Sequence, residues 1–142
     1  MSEETDAQFK RIQSVFGLNR IPGVEQATIE TYCAYLSKNL TCPCLLTGIE
    51  SMGFFAWEER FDFGYGSKTE YERLKKEEGS YHDTYELKEF DVTVDDRDIL
   101  VKVRRVSDRK KFTIPLSELQ AVDEASQNFQ LLNDYSVWIV NW

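Results

Sequence analysis

The chain has 142 residues and a formal net charge of −8, and 42% of its residues are hydrophobic, including nine Phe, seven Tyr and three Trp. This length and composition predict one domain whose apolar core does not depend on disulfides. The negative charge argues against binding to nucleic acid, which needs a basic surface, and no apolar run reaches the roughly 18 residues of a transmembrane helix.

The N-terminal residues and the cysteines both indicate a cytoplasmic protein. Residues 1–7 are polar and acidic, which excludes a secretory signal peptide and predicts a disordered segment. The three cysteines are an odd number. In a chain without an export signal, this favours free thiols in a reducing compartment.

Two helices are predicted in the N-terminal third of the chain. Hydrophobic residues recur at helical spacing over 8–17 and again over about 24–40. Pro43 ends the second helix, because the residue before a proline is disfavoured in the helical conformation.

Beyond Pro43 the pattern changes to short strands with one inserted helix. Strands are predicted over 44–49 and 54–61. Ser67 and Glu70 have the spacing of a capping box, so a helix is predicted over about 68–78.

The clearest strand signal is a hairpin in the second half of the chain. β-Branched residues occupy alternate positions through 99–106, and a second alternating segment, 111–114, ends at Pro115. A strand over about 84–92 is predicted to precede this hairpin.

Two interpretations remain open near the C-terminus. Residues 116–122 fit either a short strand or a turn of helix. Hydrophobic spacing predicts a closing helix over about 130–141, although the strand formers in 136–142 make a terminal strand the alternative. The elements together predict a single α+β domain, 1–142: N-terminal helices, a small barrel-like antiparallel sheet of about five short strands, an inserted helix and a closing C-terminal helix.

Carboxylates cluster just before the hairpin. Asp91, Asp95, Asp96 and Asp98 fall within eight positions of one another, in a turn whose oxygens can surround a hard cation such as calcium. The spacing is not that of an EF-hand, because Leu100 stands where a third oxygen ligand belongs. The alternative is a solvated acidic turn without a ligand.

Two further acidic groups could converge on the same face. Glu58 and Glu59 lie near Asp62, and Glu86 and Glu89 follow on the strand before the hairpin. Glu58 and Glu59 are the next candidates for cation ligands.

No stronger metal or catalytic pattern is visible. Cys33, Cys42, Cys44 and His82 lack the spacing of a zinc site, so structural cysteines are favoured. His82 is the single histidine, and no motif pairs it with a nucleophile. The sequence therefore predicts no enzymatic activity.

A basic run lies within the hairpin, with six positive charges over residues 102–111. It offers a patch for nucleic acid or for an acidic partner. Because the rest of the chain is acidic, internal ion pairing is the favoured interpretation.

Several segments occur in the order found in a known family. Tyr35–Leu40 leads into a Pro-containing strand, and the strand 100–105 is followed by Phe112–Leu116 and a Trp-bearing closing segment. Over about 30–142 the chain resembles the small bacterial calcium-binding proteins first described in cyanobacteria. Residues 54–87 resemble an insertion found in one branch of that group.

The resemblance implies calcium binding through an acidic surface rather than an EF-hand, and no enzymatic activity. With the clustered carboxylates, it predicts a calcium buffer or sensor whose ligands are Asp95, Asp96 and Asp98, with Glu58 and Glu59 next. The alternative is an acidic interaction module, like an immunity-type inhibitor, that covers a basic protein partner.

Overall fold

The computed structural model describes residues 2–49, 53–58, 66–91 and 97–142. The helices are α1 Glu3–Phe16, α2 Gln26–Asn39, α3 Lys68–Glu77 and α4 Gln127–Asn141. The strands are β1 Leu45–Gly48, β2 Thr84–Asp91, β3 Leu100–Arg105, β4 Lys111–Pro115 and β5 Leu119–Ala121. Two 3-10 turns, Gly53–Phe55 and Leu116–Glu118, complete the elements. The predicted α+β class is confirmed.

The five strands form one antiparallel sheet in the order β4-β3-β2-β1-β5. Strands β4 and β5 are its two edges, although only the turn 116–118 separates them in the chain. Because β4 and β5 do not pair with each other, the sheet is open and is not a closed barrel.

The core lies between one face of the sheet and the helices. Val101 and Val103 of β3 are buried and Lys102 between them is exposed, as the period of two predicts. On the helical side the rings of Tyr32 in α2 and Trp138 in α4 stack with centroids 5.0 Å apart. No helix in the described part of the chain is long and apolar enough to cross a membrane.

Helix α1 begins earlier than predicted, so residues 3–7 are helical and the prediction of disorder there is wrong. The Ser2 side chain accepts a hydrogen bond from the Thr5 N–H (3.1 Å) and caps the helix. Glu3, Glu4 and Asp6 lie in the first turn, where negative charge is favourable next to the positive end of the helix dipole.

The predicted strand over 54–61 is wrong for residues 54–58. Residues 53–55 form a 3-10 turn and 56–58 are helical. The turn lets two successive aromatic rings face the core: Phe54 contacts Phe112, and Phe55 contacts Tyr85. A strand would place these rings on opposite faces. Residues 59–61 lie outside the described part of the chain.

Both open interpretations near the C-terminus are resolved by burial. Residues 116–122 contain a 3-10 turn followed by the short strand β5, so each alternative describes part of the segment. The closing helix is confirmed and the terminal strand is wrong. Helical spacing places Leu131, Tyr135 and Trp138 together in the core, which an alternating strand cannot do.

Three of the six residues in the basic run form ion pairs with acidic residues of the described chain, which is the predicted internal pairing. Arg104 pairs with Glu86 (3.2 Å), and Lys102 with Glu89 (3.8 Å). Arg105 is 3% exposed and its guanidinium pairs with Asp83 (3.0 Å) and Asp108 (2.7 Å).

Arg105 also fixes the inserted helix α3 to the sheet. Its guanidinium donates to the main-chain carbonyls of Lys75, Lys76 and Glu78 at the C-terminal end of α3. These carbonyls have no intrahelical donor, so a cation there satisfies them and complements the helix dipole. At the other end of α3, the Ser67 hydroxyl accepts from the Glu70 N–H (3.1 Å), which confirms the predicted cap.

We expect Arg105→Lys to lower the free energy of unfolding by about 3 kcal/mol, because lysine cannot reproduce the planar fork and leaves buried acceptors unsatisfied. Urea unfolding measures this change. The matched control is Arg104→Lys on the exposed face of β3, for which the loss should stay below about 1 kcal/mol. Equal losses would show that Arg105 does not anchor α3.

The ion pairs of Arg105 with Asp83 and Asp108 should make the stability of the fold decrease in acid. Hydrogen bonds from Arg105 hold the pKa of Asp108 at about 2, below its ordinary value of 3.8. The stabilisation is therefore present above the unfolded-state pKa and is lost as the pH falls from about 4 towards 2. We expect Asp108→Asn to flatten the loss of stability over this window in acid unfolding monitored by circular dichroism. An unchanged slope would contradict the assignment.

Candidate metal-binding site

Asp98 lies just before β3 and is held from three sides. Its side chain is buried, with the residue 9% exposed. Oδ1 accepts hydrogen bonds from the Tyr135 hydroxyl (2.5 Å) and the Ile99 N–H (2.8 Å), and Oδ2 accepts one from the Ser117 hydroxyl. Asp98, which sequence analysis placed in an acidic turn at the surface, is therefore joined to the core through α4 and the turn 116–118.

Burial governs the ionisation of Asp98. Removal from water raises the pKa of this carboxyl above its ordinary value, and the hydrogen bonds from Ser117 and Tyr135 oppose that effect. No lysine or arginine with a described position forms an ion pair with it.

Glu118 is a second buried carboxylate on the same turn. It is 7% exposed, and its Oε1 accepts from the Phe54 N–H at 3.1 Å. Its Oε2 is buried and has no hydrogen-bond partner among the described residues. Burial raises the pKa of Glu118, and the charge of Asp98 raises it further, so the two carboxylates interact electrostatically.

Gly53 makes room for the Glu118 carboxylate. A Cβ at this position would lie 1.9 Å from Glu118 Oε1, so a larger residue would displace the carboxylate. The absence of a side chain at 53 is what lets Glu118 reach the main chain of Phe54.

Sequence analysis did not identify Glu118. A signal was nevertheless present: the carboxylate lies between Leu116 and Leu119, and both leucines are 1% exposed. A glutamate within an apolar segment of this kind is buried with its neighbours and needs a compensating partner.

Glu58 occupies a different environment and is almost fully buried, at 1% exposure. Oε1 accepts from the Ser80 hydroxyl (2.7 Å) and Oε2 from the Tyr71 hydroxyl (2.7 Å). These bonds join the segment 53–58 to α3 and to the loop before β2. Glu58 shares no hydrogen-bond partner with Asp98.

The remaining candidates divide into two groups. Asp95, Asp96 and Glu59 lie outside the described residues. Glu86 and Glu89 are on the sheet and form ion pairs with basic side chains: Glu86 with Lys88 and Arg104, and Glu89 with Lys102.

The cysteines do not form a metal site within the described part of the chain. No group of three or more His, Cys, Asp or Glu residues there can hold a metal ion. Cys33, Cys42 and Cys44 are unpaired, and burial raises the pKa of the Cys44 thiol to about 11. This thiol is protonated near neutral pH, as expected of a structural cysteine.

Comparison with known proteins adds family information to this geometry. The model of a family named Calci_bind_CcbP, described as calcium binding, matches residues 51–139. This range contains Asp98, Glu118 and all five predicted ligands, and it includes the segment 54–87.

A solved structure described as "Calcium binding protein in the calcium-binding form" has the same fold. It superimposes with a TM-score of 0.57 at 14% sequence identity, covering 99% of this chain and 96% of that one. A search of curated proteins gave no significant match.

We expect Gly53→Ala to lower the free energy of unfolding by about 1–3 kcal/mol, because the new methyl group collides with the Glu118 carboxylate. Chemical denaturation measures the loss. Gly23→Ala is the control, since a Cβ there meets no atom within 4 Å. Equal stability of the two variants would show that the Glu118 carboxylate moves aside without cost and is not held firmly by its hydrogen bond to Phe54.

Proposed function

The chain belongs to the Calci_bind_CcbP family and is a calcium-binding protein, and we propose that Asp95, Asp96 and Asp98 hold the ion at the start of β3. The observation that carries this proposal is the buried Asp98 carboxylate, which has no basic partner in the described part of the chain.

The donor chemistry fits calcium. Calcium takes six to eight oxygen ligands, from carboxylates, main-chain carbonyls and water. Asp98 presents carboxylate oxygens, and the sequence supplies two further carboxylates two and three positions earlier. Bound calcium would supply positive charge beside the Asp98 carboxylate, which forms no ion pair with a described basic residue.

Glu58 and Glu59 remain the second candidates in this proposal. Both oxygens of Glu58 already accept hydrogen bonds from hydroxyl groups, so a cation there would compete with Tyr71 and Ser80. The Asp98 oxygens also accept hydrogen bonds, from Tyr135, Ile99 and Ser117, so Asp98 is preferred because Asp95 and Asp96 lie within three positions of it in the sequence.

The proposed role is that of a non-catalytic buffer or sensor in the cytoplasm. His82, the single histidine, packs its ring against Tyr81 at a centroid distance of 3.9 Å. Within the described part of the chain, that ring forms no hydrogen bond to a hydroxyl or thiol nucleophile. The free cysteines support a reducing compartment.

The alternative, an acidic module for a basic protein partner, is not favoured by the exposure of these carboxylates. Charges that attract a partner act from the surface. Asp98 and Glu58 are 9% and 1% exposed, so neither presents its charge to a protein surface.

Calcium should raise the midpoint of thermal unfolding, whereas magnesium at the same concentration should raise it less. Binding to the folded state alone adds about 2.7 kcal/mol at a hundredfold excess over the dissociation constant. We expect the double variant Asp95→Asn with Asp96→Asn to lose most of this increment, measured by differential scanning calorimetry in EDTA and in calcium.

The control is the double variant Asp123→Asn with Glu124→Gln, which removes the same number of charges from an exposed loop elsewhere. It should keep the full calcium increment. An equal loss in both double variants would show a general charge effect, and an unchanged increment in the first would place the ion elsewhere.

A further inference from the structure

We propose that Glu118 is a calcium ligand and that its Oε2 atom, together with the Asp98 carboxylate, forms the buried side of the calcium site. The inference rests on the proposed function, since it extends the site at Asp98 to a residue outside the predicted set.

The first argument is the unpaired state of Glu118 Oε2. A buried carboxylate without a partner carries a desolvation penalty that a proton, a cation or hydrogen bonds must offset. Only Oε1 has a partner, the Phe54 N–H, and Oε2 has none among the described residues. The unpaired oxygen is therefore available to coordinate a cation on that side of the carboxylate.

The second argument is the contrast with the other buried carboxylates. Asp134 is 4% exposed and pairs with Arg11 at 2.8 Å. Glu58 is satisfied by two hydroxyl groups, on Tyr71 and Ser80. Within the described chain, Glu118 is the buried carboxylate that keeps an oxygen without a donor.

The third argument is that one turn positions both carboxylates. Ser117 donates its hydroxyl to Asp98, and the next residue is Glu118. The Glu118 carbonyl accepts from the Ile49 N–H at 2.9 Å, which fixes the turn against the residue after β1. A divalent cation between the two carboxylates would neutralise both.

Oxygen is the donor type that calcium prefers, and neither residue brings a nitrogen or sulfur ligand to this turn. Because Oε1 of Glu118 is engaged by the main chain, the residue is expected to bind through Oε2 alone. This arrangement leaves the Phe54 hydrogen bond intact when the ion binds.

The test is calcium titration of the full chain by isothermal calorimetry, comparing wild type with Glu118→Gln. Glutamine keeps the size of the side chain and an oxygen for Phe54 but removes the negative charge. We expect the dissociation constant for calcium to rise about tenfold or more, since charge count tunes calcium affinity. Asp134→Asn, another buried carboxylate, is the matched control and should leave the constant unchanged.

Thermal unfolding in EDTA separates a ligand from a purely structural residue. If Glu118 is a ligand, Glu118→Gln should unfold in EDTA at the same temperature as wild type or higher, because an uncompensated buried charge is gone, yet it should lose most of the calcium-induced rise. Glu118→Asp, which retains the charge on a shorter side chain, should keep more of that rise than glutamine.

Other outcomes overturn the inference. Unchanged calcium affinity in Glu118→Gln, with wild type still binding, means that a proton or water satisfies Oε2, and the proposed function stands without Glu118. A lower midpoint in EDTA with the full calcium rise assigns the residue a structural role. If wild type binds no calcium at all, the proposed function itself fails.

Discussion

The turn 116–118 connects the two edge strands and, at the same place, holds two buried carboxylates. Ser117 fixes Asp98, Glu118 reaches the main chain of Phe54, and Tyr135 of the closing helix binds Asp98 from the opposite side. The residue before β3, the 3-10 turn Gly53–Phe55 and helix α4 are therefore each hydrogen-bonded to one of the two carboxylates. A change in the charge of these carboxylates acts on all three segments.

The basic residues of the hairpin contact other acceptors, and none of them forms an ion pair with Asp98 or Glu118 in the described part of the chain. Arg105 is bound by Asp83, Asp108 and the last carbonyls of α3. Arg104 pairs with Glu86 on the exposed face. Although the hairpin is rich in positive charge, its side chains satisfy acceptors of the inserted helix and the sheet. The uneven distribution of charge leaves Asp98, Glu118 and Glu58 as buried acids without a basic partner among the described residues, and of these three only Glu118 keeps an oxygen without a hydrogen-bond donor.

Hydrophobic periodicity correctly predicted those helices and strands that bury a single face at the regular spacing of the element. The alternation in β3, the cap at Ser67 and the hydrophobic spacing of α4 each depend on neighbours close in sequence. The segment 54–58 departs from its pattern because Phe54 and Phe55 both contact core rings of distant elements. Local propensity carries no information about those partners.

The candidate site could likewise be predicted only in part, because its residues are brought together by elements that are distant in sequence. Acidic spacing identified Asp98 and Glu58, but it placed them on the surface, because sequence proximity does not reveal that Tyr135 or Tyr71 lies against them. Glu118 has no acidic residue next to it in the sequence, so a search for clustered carboxylates did not identify it. Its importance depends on Gly53 and Asp98, which are distant in sequence and adjacent in the fold.

The burial of these acids links ion binding to folding. In the ion-free protein, two nearby carboxylates in a poorly solvated turn raise the free energy of the native state, and the raised pKa of each carboxyl reflects that cost. The unfolded chain solvates both groups and does not hold them together. An ion at the proposed site would neutralise the two carboxylates and so lower the free energy of the native state relative to the unfolded chain. Part of the binding free energy would therefore appear as greater stability of the turn and of the elements joined to it. An exposed cluster of the same charges would bind with a smaller effect on folding, since water already solvates and screens it.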